Sequence, residues 1–122
     1  MKFIKYSYLS LIAVFIFAAS TAQAHNSLTE AFPSDQSVIN ESLKALELTF
    51  SDETYLEEIK LVTVTGEVIP LDFEPSISAS RHFSVPVHDI GEGEYRVKWQ
   101  VVGDDTHKIS GEFSFNLNKK LE

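Results

Sequence analysis

The chain contains no cysteine, and its single methionine is Met1. With no thiols there is no disulfide staple, no Cys-ligated zinc, no iron–sulfur cluster, no thiol nucleophile and no lipidated N-terminal cysteine. Basic residues are also scarce: 10 Lys+Arg stand against 18 Asp+Glu, a net charge of −8 over 122 residues. Nucleic acid is therefore a poor partner, because phosphate backbones are gripped by Lys and Arg that displace counterions. The one long apolar run, Leu9 to Ala19, is well short of the ~20 residues needed to cross hydrocarbon. No internal repeat is present. No stretch with helical period outweighs alternation; Leu43 to Leu46 comes nearest.

The apolar run has an address-like setting. Lys2 and Lys5 precede it, and Ala22-Gln23-Ala24 follows it as a small-x-small site. Residues 1–24 read as a secretory signal peptide rather than an anchor. Cleavage after Ala24 leaves a mature chain, residues 25–122, that starts at His25 and has no membrane insertion. Its 98 residues carry 8 Lys+Arg against 18 Asp+Glu, a net charge of −10. That length supports one domain with one modest core, without a large enzyme cleft beside it.

The mature part reads as short strands separated by turns. Leu46, Leu48 and Phe50 share one face of Ala45–Phe50. A β-branched run follows at Ile59–Val64 and ends at Thr65-Gly66. Val68–Phe73 contains Pro70, which marks an edge or irregular strand. His82–Val87 is a further short candidate. Tyr95, Val97, Trp99 and Val101 alternate with Arg96, Lys98 and Gln100, the clearest half-buried strand. Phe113, Phe115 and Leu117 repeat the pattern. About seven short strands at this spacing predict an all-β Greek-key β-sandwich or barrel.

His25 is the most informative residue. Once freed, its α-amine and its imidazole can close a chelate ring on one ion. Reference pKa values of about 7.7–8.0 and 6.5 let a metal displace both protons near neutrality. Nitrogen donors of this kind suit Cu(II), which tops the divalent series. Asp105-Thr106-His107 offers a carboxylate and an imidazole at i and i+2, which project to one side if the segment is extended. Amine, two imidazoles and a carboxylate make a 3N,1O set of the kind that favours Cu(II). Asp52 can add an axial or outer oxygen. Each element has a plainer reading when taken alone: a terminal histidine is often accidental, and Asp105, Thr106 and Asp52 are ordinary turn residues. His82 and His88 read as surface or turn residues, Trp99 as core, and Glu57-Glu58, Glu92 and Glu94 as solvated faces. No nucleophile-elbow motif frames a serine.

Taken together, the residues resemble the CopC/YobA family of periplasmic copper proteins along nearly all of the mature chain. The resemblance begins at His25 and passes through Phe32-Pro33-Ser34-Asp35 and Leu48-Thr49-Phe50-Ser51-Asp52. It is richest from Gly93-Glu94-Tyr95-Arg96-Val97-Lys98-Trp99 through Asp105-Thr106-His107 to Gly111, Phe113 and Phe115. It implies a cupredoxin-like, Ig-like β-barrel without a blue-copper cysteine, located in the periplasm. It further implies Cu(II) held by the amine and imidazole of His25 with Asp105 and His107. Asp52 occupies a position where the family more often has Glu. An inner-membrane copper transporter (CopD-like) or another periplasmic copper protein is the implied partner, and no enzymatic activity is implied. Some members carry a Met-rich loop for Cu(I), so this chain, lacking such methionines, is expected to have one Cu(II) site only. Two other functions fit parts of the pattern. One is a copper-dependent oxidative enzyme with a histidine brace, and the other is a metal-free Ig-like module for envelope binding.

Overall fold

The computed structural model describes residues 27–119. The leader (1–24) and His25 lie outside the described residues. Seven strands and no helix are present among those described: β1 (Leu28–Phe32), β2 (Ser37–Ile39), β3 (Ala45–Thr63), β4 (Val68–Ile69), β5 (Ser80–Pro86), β6 (Gly93–Val102) and β7 (Lys108–Leu117). The fold class is therefore as expected, all-β and barrel-like. The strands run β1-β3-β6-β7-β2, with β4 and β5 also paired to β3.

Not every strand is short. β3 runs for nineteen residues and belongs to both faces of the barrel. Its first half pairs with β1 and β5, through Leu48↔Ala31 and Leu48↔Phe83, and its second half with β6, through Leu61↔Val97. The sequence pattern breaks into two pieces for two local reasons. Ser51, Asp52 and Glu53 are all exposed where the strand crosses from one face to the other. A bulge between Leu56 and Glu58 then switches the parity of the buried positions. Leu46, Leu48, Phe50, Thr54 and Leu56 face inward before it, and Ile59 and Leu61 after it. One extra residue moves a period-two pattern to the other side.

The core lies between the two faces. Phe50 meets Trp99 edge-on with centroids 5.2 Å apart, and Tyr95 stacks on Phe115 at 5.6 Å. The alternation of β6 and β7 is as expected, with Tyr95, Val97, Trp99, Val101, Phe113, Phe115 and Leu117 buried. Gly111 sits opposite Trp99 in the β6–β7 ladder. A Cβ there would stand 2.4 Å from Trp99 Cζ2, so the indole fills the space of a side chain. The Phe32–Asp35 segment leads into β2, which pairs parallel with β7. Asp35 Oδ1 accepts the Ser114 amide, and the Gln36 amide donates to the Ser114 carbonyl.

Candidate metal centre

β6 and β7 are joined by a tight hairpin. The Thr106 amide donates to the Gly103 carbonyl, and the Gly103 amide to the His107 carbonyl. This is the pattern of a turn followed by a left-handed residue, and Thr106 takes that place with φ of +65°. A β-branched residue is rarely found there. Asp105 and His107 do come together, but not by strand alternation: the segment is a turn, not extended. Asp105 Oδ1 accepts the His107 amide, while Oδ2 stands 2.9 Å from His107 Nδ1. The hydrogen bond from the ring, followed by that from the backbone amide, holds the Asp105 carboxyl below its ordinary value. Both side chains are open to solvent, His107 at 80% and Asp105 at 58%. Burial therefore adds nothing to their grip, and any affinity must come from donor chemistry and chelation. A carboxylate bound to one ring nitrogen also fixes the orientation of an imidazole, as around many metal-ligating histidines.

The hairpin lies beside the crossing segment of β3. Thr54 is fully buried and donates through Oγ1 to the Val102 carbonyl at 2.8 Å, and Tyr55 is in register with Val102. Ser27, where the described chain begins, joins the same segment. Its amide donates to Ser51 Oγ, and its carbonyl accepts the Ser51 amide. The start of β1, the exposed Ser51–Glu53 corner and the β6–β7 turn thus occupy one end of the barrel. Asp52 is at that end but apart from the pair, with its Oδ1 accepting the Glu53 amide. Among the described residues no three His, Cys, Asp or Glu side chains gather closely enough to hold an ion. Asp105 and His107 bring together two such side chains and no third.

Two further histidines are fixed by carboxylates. His88 Nε2 lies 3.1 Å from Asp72 between two loops. His82, on β5, is held at both ring nitrogens. Nε2 is 2.8 Å from Glu47 Oε1 and Nδ1 is 3.0 Å from Thr49 Oγ1. The sequence reads these two as surface or turn residues, and both are exposed. For His82 no local spacing signals the contact, because Glu47 is 35 positions away and only the β3–β5 register brings it near.

Such a molecule, with no helix among its described residues, is a small β-barrel that carries an exposed carboxylate–imidazole pair at a hairpin tip. The family follows from the sequence itself. The chain belongs to the CopC family, whose model, described as the CopC domain, matches residues 28–118. It is 28% identical over 120 residues to copper resistance protein C of Pseudomonas syringae pv. tomato, covering 91% of this chain and 94% of that one. It is 30% identical over 98 residues to protein YobA of Escherichia coli K12, covering 77% and 79%. In fold it is similar to the crystal structure of CopC from Methylosinus trichosporium OB3b, with a TM-score of 0.68 at 21% identity over 80% of this chain and 98% of that one.

Proposed function

We propose that this chain is a periplasmic Cu(II)-binding protein that sequesters copper and passes it on, in copper resistance or homeostasis, and that it is not an enzyme. Cleavage after Ala24 creates the site. The α-amine and imidazole of His25 chelate the ion, Asp105 and His107 complete the set, and Asp52 contributes an outer oxygen. Relatives named copper resistance protein C support the cargo.

The observation that carries this reading is the Asp105–His107 pair beside the end where β1 begins. Two residues of chain reach at most about 7 Å, and His25 is two residues before Ser27, which is hydrogen-bonded next to Asp52. The pair is hydrogen-bonded at 2.9 Å, so a carboxylate oxygen and an imidazole nitrogen already stand side by side. An ion held by both would displace the proton between them. Four protein donors would leave little room for oxygen at the ion, which favours carriage over oxidation chemistry. With Met1 lost in the leader, no thioether remains to select Cu(I). The acidic surface raises the local cation concentration and favours docking to a basic face on a CopD-like transporter or another periplasmic copper protein.

The test is a one-residue extension before His25 in the processed protein, followed by Cu(II) titration. We expect affinity to fall by about a hundredfold or more, equal to about 2.7 kcal/mol, with the fold unchanged by circular dichroism. Unchanged affinity would rule out the terminal chelate. Mass spectrometry of the exported chain should give His25 as its first residue.

A further inference from the structure

We propose that His82 and Glu47 form a second, weaker site for a borderline divalent cation, on the outer face of the β1–β3–β5 sheet and separate from the terminal one. Three observations converge there. The first is distance. His82 Nε2 and Glu47 Oε1 are hydrogen-bonded at 2.8 Å, so a nitrogen and an oxygen donor stand side by side and one ion could reach both. An imidazole nitrogen with a carboxylate oxygen suits Cu(II) ahead of Zn(II).

The second observation is the partner on the far side of the ring. Glu47 can only accept, so the neutral imidazole carries its proton on Nε2 while Nδ1 accepts from the Thr49 hydroxyl, 3.0 Å away. When an ion binds Nε2, that proton moves to Nδ1 and the Thr49 hydroxyl turns to accept it. No net proton leaves the neutral ring. Thr49 Oγ1 is both donor and acceptor, so it holds the ring in both states, the role an outer-shell partner plays at metal-bound histidines. Glu47 is held likewise, since its Oε2 accepts from Ser84 Oγ at 3.0 Å. These four side chains sit on adjacent strands in register, Thr49 opposite His82 and Glu47 opposite Ser84. The His88–Asp72 contact lacks these supports. It joins two loops rather than two strands held in register.

The third observation is access. His82, Glu47 and Thr49 line an open depression of about 290 Å³ with Glu30, Ala31 and Phe32. Glu30 is in register with Thr49, on the same row as His82, and adds negative potential toward the pair. The depression leaves room for the waters that fill the remaining positions of the ion. With only two protein donors the site binds more weakly than a four-donor chelate.

The test is a Zn(II) titration of the exported protein, followed in the histidine ring ¹⁵N spectra. We expect the protonated nitrogen of His82 to change from Nε2 to Nδ1 as Zn(II) is added, in His107→Ala as well as in the parent chain. His82→Gln keeps a donor toward Glu47 but offers no ring nitrogen, and it should remove the weak equivalent while leaving the tight one. Thr49→Val should weaken the weak equivalent by about 10- to 100-fold. A His82 ring that keeps its Nε2 proton throughout the titration overturns the proposal. So does an unchanged His82 response in Glu47→Gln, or loss of the response in His107→Ala. Because His107→Ala removes a donor of the proposed terminal site, failure of one site can be told from failure of the other.

Discussion

Replacing Gly111 by alanine gives an outcome whose sign is decided by one contact. Glycine within a strand is ordinarily disfavoured by about 0.5–1 kcal/mol relative to alanine, so the exchange at an open position would stabilise the protein. At Gly111 the added Cβ would lie 2.4 Å from Trp99 Cζ2 and 2.9 Å from Cε2, where carbon atoms prefer about 3.5–4.0 Å. One atom or the other has to move by about 1 Å. The indole cannot retreat freely, since it is 7% exposed and Phe50 meets it edge-on. Overpacking of this kind costs about 1–3 kcal/mol. For a domain of this size, each kcal/mol shifts Tm by about 4–8 °C, so Gly111→Ala should melt roughly 5–20 °C below the parent. Thermal unfolding followed by far-UV circular dichroism measures this. The clash is with the six-membered part of the indole, which Phe does not supply. In a Trp99→Phe background the same exchange should cost less than half as much, a coupling of the size expected for contacting residues. A Gly111→Ala protein that melts at or above the parent temperature would refute the reasoning, as would equal penalties in the two backgrounds.

Thr106 pays for its left-handed backbone, which costs roughly 1–2 kcal/mol in an ordinary L-residue. Thr106→Gly removes that strain and gives back about 0.5–1 kcal/mol in chain entropy. The variant should therefore be more stable by up to about 1 kcal/mol in urea unfolding, and a clear loss of stability would contradict the turn geometry. In the metal-free protein the Asp105 carboxyl should titrate below its ordinary value of 3.8, and His107→Ala should bring it back up. Since the folded-state value is depressed, the stability Asp105 contributes is present above the unfolded-state value. It is lost as the pH falls through the folded one. Carboxyl ¹³C titrations of the two proteins test this, and identical curves would show that the ring does not hold the carboxylate.

What could be read in the sequence was whatever repeats locally. Tyr95 to Val101 and Phe113 to Leu117 announce their buried faces because no bulge interrupts them. β3 hides its length because three exposed residues and a parity switch fall within one strand. β1 and β2 could not be seen at all. The five residues Leu28–Phe32 and the three of β2 carry little alternation, and β2 owes its place to a parallel pairing with residues almost eighty positions later. Asp105 and His107 were identifiable as a pair, although the physical cause differs: a carboxylate capping a turn, not two side chains on one strand face. Glu47 with His82 left no trace in spacing, because a contact across two strands is written only in the register.

The parallel pairing of Ser37–Ile39 with Phe115–Leu117 has a consequence for biogenesis. A ribosome must deliver nearly the whole polypeptide before that pairing can close, and a growing chain up to the sixth strand still has an unsealed seam. Loop-closure entropy over such a span makes the step slow compared with local hairpins. The seam between Ser37–Ile39 and β7 therefore stays open until the last strand has emerged, and sealing it is among the final events of folding.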